Sequence, residues 1–449
     1  MRTRISLVLV IQSDSSPESH HTNSYYAATT IGLRSYPKFK ESERCDVCVI
    51  GGGFTGLSTA LNLAELGYDT VLLEAQRVGW GASGRNGGQV GTGMHWSQQE
   101  LENKFGDEQA SKFWNITELA KSEVAKRISR HQIACDFKPG VLATAVTRKA
   151  AAALEKNAIY LQEHYNHAAI RYVRSDEVSD MLGTSSYFGG SLDTSSGHFH
   201  PLNFAIGLAR AATDAGVRIY ETSPVRTYHK KSDGNSVETN SGAEVRARYV
   251  VFACNAYIDR LRAKFSRYII PIESMIVATE PLSAKRASEL IRDDVAVYDS
   301  KFCLDYYRLS ADKRLLFGGG EAYIPNLNVD VARTMKRRII AVYPQLTDIR
   351  IDYAWRGKIA ITTSRLPSIG RLYPDVYYAQ GFSGHGVALT NMVGKILAET
   401  IAGTAEQFDV LASIPHRPFP GGRVMRWPIH VIGMYYYALA DRLMTRSPG

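Results

Sequence analysis

The sequence predicts an α/β fold organised around a dinucleotide-binding βαβ unit. Three stretches carry the prediction: CDVCVIGGGFTGLSTALNLAELGYDTVLLE (Cys45 to Glu74), GWGASGRNGGQVGTG (Gly79 to Gly93) and DVYYAQGFSGHGVALTNMVGKILAETIAG (Asp375 to Gly403). With 449 residues, 45% hydrophobic and 22% charged, the chain can bury a large core and has the length for two or three domains.

The N-terminus, MRTRISLVLVIQSDSS, imitates a secretory signal, with Arg2 and Arg4 ahead of the apolar run Ile5 to Ile11. That run lies at the lower limit for such a signal, and Ser13 to Ser16 offer no small-residue cleavage site. It reads as a disordered tail, or as a start placed too far upstream, and residues 1–39 as an N-terminal extension. Five cysteines are few and odd in number, which fits free thiols in a reducing, cytoplasmic setting. Cys45 and Cys48 form C-x-x-C, but they fall in an apolar strand with an offset of three, which sets them on opposite faces, and no second Cys or His pair follows. They read as core thiols, and no metal site is expected. The net charge of +9 is spread along the chain without a basic block, so nucleic-acid binding is not expected. No run of 18 apolar residues suggests a membrane span.

Within Cys45 to Glu74, the β-rich run Val47 to Ile50 meets Gly51-x-Gly53-x-x-Gly56. A helical pattern follows, then Gly67, a second strand (Thr70 to Leu73) and the acid Glu74. Gly51 permits the tight turn, Gly53 lets main-chain N–H groups approach a pyrophosphate, and Gly56 lets the helix pack against the strand. The positive end of the helix dipole suits a diphosphate. Glu74 is placed to accept hydrogen bonds from an adenosine ribose.

The run Gly79 to Gly93 holds seven glycines and begins five residues after Glu74. Such bare backbone suits a loop passing an extended cofactor, and this favours FAD over NAD. Ser83 and Asn86 are candidates for ribityl hydroxyls or phosphate, and Arg85 for a phosphate. GAEVRARYVVFACNAY (Gly242 to Tyr257) reads as a hairpin-like pair of apolar runs ending at Asn255, beside an adenine. In Asp375 to Gly403, a strand, a turn (Gly381, Gly384, Gly386) and a helix give a second helix N-terminus; aimed at the flavin C2 carbonyl, it would stabilise the charge of the reduced ring. Gly318 to Gly320 begin no helix and read as a turn. The aromatic segment near Ile432 to Leu443 is expected to pack on the body rather than lie on a membrane.

These motifs together resemble the FAD-dependent D-amino-acid oxidase superfamily, which contains sarcosine oxidase and glycine oxidase. HTNSYYAATT (His21 to Thr30), GWGASGRNGGQ, DYYRLSADKRLLFGGGE (Asp305 to Glu321), TTSRLPSIGRL (Thr362 to Leu372) and GFSGHGVALTNMVGKILAE look most like bacterial gamma-glutamylputrescine oxidases. The resemblance implies a FAD-binding Rossmann-like domain with an interleaved mixed-sheet substrate domain, an α/β (α+β) architecture. The FAD domain would comprise 40–100, 195–270 and 355–415, the substrate domain 101–194 and 271–354, with 416–449 packed on the body. It nominates Gly51, Gly53, Gly56, Glu74, Ser83, Arg85, Asn86, Gly384, His385 and Gly386 for FAD, and Val225, in SPV, for an adenine contact. In sarcosine oxidases a cysteine in the segment matching Ala360 to Pro367 carries the flavin; AITTSRLP lacks one, so FAD is expected to be non-covalent.

The implied reaction oxidises gamma-glutamylputrescine to an aldehyde with release of ammonia and hydrogen peroxide, oxygen being the acceptor. An amine of pKa near 10.4 must give up about three units of proton affinity at pH 7, about 4–5 kcal/mol. Desolvation by aromatic walls and nearby positive charge act that way. Tyr306, Tyr307, Trp355 and Arg308 are candidates, and Arg308 could fork onto the substrate α-carboxylate or form a surface ion pair. His385 could tune the ring, relay a proton or make a structural hydrogen bond. Competing readings are a sarcosine- or D-amino-acid-type oxidase or dehydrogenase, and a non-catalytic FAD-binding protein.

Overall fold

Val47 to Ile50 and Thr70 to Leu73 are fully buried because they lie side by side as parallel strands at the centre of a sheet. The computed structural model describes residues 20–258, 261, 263–322, 329–421 and 431. Strands Arg218–Tyr220, Thr70–Leu73, Glu43–Ile50, Glu244–Phe252 and Val376–Gln380 are adjacent and parallel, and Ser368–Tyr373 closes the edge antiparallel. The hairpin Val225–Lys231/Gly234–Thr239 pairs with the start of Glu244–Phe252. Alternation sends Val47 and Val49 into the core under the helices, and Cys48 and Ile50 into the opposite one. Helix Phe54–Glu65 is buried from Phe54 to Leu63 because helices Pro201–Asp214 and Gly386–Ile401 pack against it. Leu57 and Leu61, wholly buried there, each contribute about 1.5–3 kcal/mol.

A second, mixed sheet runs in the order Ile351–Thr362, Ile269–Thr279, Leu315–Ala322, Asp305–Leu309, Ala296–Asp299, Lys138–Thr144, Gly189–His198, Gln89–Val90, with Ile170–Arg174 also on Gly189–His198. One face carries its own core with helices Ser175–Leu182, Ala284–Leu290 and Val331–Val342. The other face turns toward the glycine-rich loop.

The structure differs from the sequence reading at four places. Helix Asp107–Arg130, expected in the substrate domain, packs in the dinucleotide-side core through Phe113, Ile116, Ala120 and Val124, an apolar stripe at helical spacing, and helix Gln98–Phe105, which straddles the expected boundary at residue 100, joins the same core through Leu101. Gly242 to Tyr257 contains one strand, Glu244–Phe252, rather than a pair: its antiparallel partner, Gly234–Thr239, lies just before this run, and its parallel neighbours are the distant strands Glu43–Ile50 and Val376–Gln380. Gly318 to Gly320 lie inside strand Leu315–Ala322, since the Tyr306 ring occupies the space a Cβ on Gly318 would need. Residues 20–39 are docked on the body: Ser24 caps the short helix Tyr25–Ala28, which buries Tyr25 and Tyr26. Phe419 N–H bonds Arg267 O at 2.9 Å; residues 1–19 and the expected aromatic segment at 432–443 lie outside the described residues. No described helix is long and apolar enough to cross a membrane.

Candidate active site

The first strand ends at Ile50, and Gly51, with a φ of +112°, turns the chain toward Gly53, the N-cap of helix Phe54–Glu65. A Cβ on Gly56 would fall 1.8 Å from Gly51 O, so the helix rests on the turn itself. No side chain caps this helix from Gly53; instead Ser83 Oγ accepts Phe54 N–H at 2.9 Å from the glycine-rich loop. Glu74 accepts Gly52 N–H at 2.6 Å and Gln76 N–H at 2.8 Å. Burial raises its pKa, with these amides acting in the opposite direction, and each oxygen keeps a lone pair for a ribose hydroxyl. Val225 opens its strand two residues after Ser223, whose N–H bonds Glu74 O at 2.9 Å.

Arg85 stacks over Trp80, with Cζ 4.1 Å from the ring centroid, and its Nε bonds Trp80 O at 2.7 Å. Asn86 is committed to the loop: Nδ2 donates to Ala82 O and Ser83 O, and Oδ1 accepts Gly88 N–H at 2.7 Å. It shapes the loop instead of offering a free amide to a ligand. From below, Trp355 Nε1 donates to Arg85 O at 3.0 Å. Arg308 is buried; its Nε donates to Gly87 O at 2.8 Å, Nη1 to Leu309 O at 3.0 Å, and Nη2 to Phe199 O at 2.8 Å and Tyr26 OH at 3.3 Å. A guanidinium so engaged cannot fork onto a substrate carboxylate, and Arg308 is neither that fork nor a surface ion pair.

Strand parity separates Tyr306 from Tyr307. The Tyr306 ring lies against Gly87, where a Cβ would come within 2.7 Å, and burial pushes its pKa up. Tyr307 faces the other way, stacked on Phe317 at 5.3 Å with its hydroxyl bonded to Tyr187 at 3.1 Å. It belongs to the helix-side core and not to the aromatic wall. Tyr298, the cross-strand partner of Tyr306, shares its face.

At the second glycine turn, Asn255 Oδ1 accepts Gly381 N–H at 2.9 Å, so this side chain fixes the turn rather than an adenine. Gly384 has φ +93° and open space where a Cβ would be, and helix Gly386–Ile401 starts behind His385 with no side-chain cap on its first amides. His385 is exposed, yet desolvation by the surrounding protein lowers its pKa. Its ring lies 5.6 Å from that of His95, which desolvation, Arg365 and His385 together lower to about 4. Arg365 Nη1 sits 3.4 Å from His95 Nε2. At neutral pH this group therefore offers two uncharged imidazoles beside one permanent cation.

A dinucleotide-type crossing, a glycine-rich loop after its second strand and a second glycine turn, opening a helix that packs on the first one, are thus set together. Residues 46–400 match the family described as FAD dependent oxidoreductase. The chain belongs to that family. It is 42% identical to Gamma-glutamylputrescine oxidoreductase of Escherichia coli (strain K12), over 95% of this chain and 99% of the relative. It is 38% identical to a probable oxidoreductase, OrdL, of Haemophilus influenzae, over 94% and 98%. Its fold resembles the crystal structures of glycine oxidase from Geobacillus kaustophilus (TM-score 0.69, 20% identity, 84% of this chain and 100% of that one) and L-proline dehydrogenase from P. horikoshii (TM-score 0.68, 24% identity, 82% and 96%).

The protein is accordingly a FAD-dependent oxidoreductase, and its crevice fits the cofactor. Arg85 Nη2, Trp80 Nε1 and His21 Nε2 are buried without hydrogen-bond partners among the described residues. Desolvation, then Arg77 and Arg85, lower His21 to about 4, which places it with Arg85. Buried polar atoms left open in this way suit a ligand rich in phosphate and hydroxyl oxygens. Sequence reasoning missed His21, Trp80, His95, Tyr298 and Arg365; His21, Trp80 and Arg365 lie in quoted motifs, and no spacing signal marks His95 or Tyr298.

Proposed function

We propose that the protein oxidises gamma-glutamylputrescine at its terminal amine carbon, using non-covalent FAD and oxygen. The observation that carries this reading is the 42% identity to Gamma-glutamylputrescine oxidoreductase across nearly the full length of both chains. The substrate ammonium, oxygen and one water give the aldehyde, ammonium and hydrogen peroxide. Bound FAD supplies the two-electron acceptor. The chain's own residues supply the surroundings. Gly51, Gly53, Gly56, Glu74, Ser83 and Arg85 hold the cofactor from the first crossing, with Gly384, His385 and Gly386 at the second turn and Val225 near the adenine. Tyr298 and Tyr306 form the aromatic wall, and Arg365 beside the neutral His95 and His385 favours the uncharged amine by repulsion. Trp355 and Arg308 act through the loop they hold.

The engaged state of Arg308 also argues against a small amino-acid substrate gripped by that residue. Non-covalent FAD follows from Thr362, Thr363 and Ser364 standing in the segment where a linking thiol would be needed. A panel of gamma-glutamylputrescine, putrescine, sarcosine and glycine, followed by peroxide release, tests the reading. Turnover of gamma-glutamylputrescine well above the others is expected; turnover of sarcosine or glycine alone would overturn it.

A further inference from the structure

Tyr298 lies on a strand paired on both sides and is still 38% exposed, so open space lies over this face of the mixed sheet. Tyr306 pairs with Tyr298, Tyr298 with Ala143, and Ala143 with Ser191. Cross-strand partners share a face, and a row across four strands measures about 14 Å. One end, Tyr306, touches the cofactor loop at Gly87. The other end reaches a buried charged cluster.

Asp193 sits two residues beyond Ser191 on the same face of its strand. Its Oδ1 accepts Ser195 N–H at 2.9 Å and Ser195 Oγ–H at 2.7 Å, and Oδ2 accepts Ser196 Oγ–H at 2.5 Å. Lys121 Nζ lies 3.5 Å and His167 Nε2 3.4 Å from that second oxygen. Burial opposes ionisation of Asp193, but His167, Lys121 and the two serines outweigh it and hold the carboxyl below its ordinary range. Glu118 lies 3.0 Å from the same Lys121 ammonium and accepts Thr92 Oγ1–H at 2.7 Å. Thr92 belongs to the glycine-rich run, so the cluster borders the cofactor loop. Lys121 and His167 each lie against both carboxylates, and Ser191 Oγ, in a residue only 5% exposed, has no partner among the described residues. Carboxylates and an open hydroxyl in a desolvated place are stabilised by a cation with N–H donors.

We propose that Asp193, Glu118 and Ser191 seat the distal α-ammonium of the gamma-glutamyl group, while the amine to be oxidised lies at the Tyr298–Tyr306 end. The chain from the reacting carbon to the α-nitrogen extends about 10 Å, within the length of the row. The seat rests on the substrate reading above and adds what selects the glutamyl end.

The test compares gamma-glutamylputrescine with N-glutarylputrescine, which keeps the chain and carboxylate and lacks only the α-ammonium. Wild-type holoenzyme should prefer the glutamyl compound by about tenfold or more in kcat/KM, the value of a charge-assisted hydrogen bond. Asp193→Asn should lower kcat/KM for that compound by about tenfold or more through KM, and leave the glutaryl compound within about twofold. Glu118→Gln, which leaves the Ser195–Ser196 turn untouched, and Ser191→Ala should show the same selective pattern, with bound flavin retained. Equal losses on both compounds, or a wild type that does not distinguish them, overturn the seat alone. A wild type inert toward both overturns the substrate reading beneath it.

Discussion

Arg308 Nε donates to Gly87 O at 2.8 Å, joining a strand of the mixed sheet to the loop that lines the cofactor crevice. Its Nη2 holds Phe199 O at the same distance. Arg308→Ala leaves both carbonyls unpaired in a buried place, at a cost of about 3 kcal/mol or more. Thermal unfolding and flavin content should both fall. A variant with unchanged stability and flavin content but a higher KM would restore Arg308 to the substrate.

Glu74 binds Gly52 and Gln76 amides at 2.6 and 2.8 Å and faces the expected ribose. Glu74→Ala should raise the FAD Kd of the apoprotein by about tenfold or more, since hydrogen bonds to a charged group contribute about 1.5–3 kcal/mol. Fluorescence titration measures it. Glu74→Gln, which keeps one acceptor oxygen, should lie between wild type and Ala.

A Cβ on Gly56 would meet Gly51 O at 1.8 Å, a main-chain atom that cannot step aside. Gly56→Ala should therefore give protein that misfolds or is isolated without flavin, whereas Gly67→Ala, where a Cβ meets nothing within 4 Å, should lose only what its φ of +85° costs, about 1–2 kcal/mol. Similar flavin loads in the two variants would contradict the close helix–strand contact.

His198 and His200 are buried, and desolvation, then Arg308, lower each to about 3. Their folded pKa values lie below the unfolded 6.5, so the unfolded chain binds more protons between these values. The stability they contribute is complete above pH 6.5 and lost as pH falls toward 3, on the order of a few kcal/mol for the pair. The unfolding midpoint should drop over that range. His200→Asn, which keeps a cap for Asn203 N–H, should flatten the drop; an unchanged slope would mean that His200 is not the group being protonated.

The first crossing was legible because its signals are local: Gly51, Gly53 and Gly56 follow one strand, and Glu74 ends the next. The loop was legible as cofactor backbone, but the duties of its side chains were not. Asn86 looks like a ligand donor in sequence and is committed to Ala82, Ser83 and Gly88. The pair Tyr306–Tyr307 shows a sharper limit, since a strand sends one of them to each face and sequence alone does not say which. Tyr298, Ser191 and Asp193 come together only through pairing between strands from 138 to 309, and such register is set by the finished sheet rather than by any short motif. Helix Asp107–Arg130 displayed its apolar stripe, but not the core that the stripe would join.

The most direct measurement is an anaerobic titration of the purified protein with gamma-glutamylputrescine, following the visible absorbance of bound flavin. Bleaching complete at about one equivalent of substrate per flavin is the expected result, because amine oxidation transfers one electron pair. A flavin that stays oxidised with this compound, or a colourless protein that FAD does not reconstitute, would contradict the assignment.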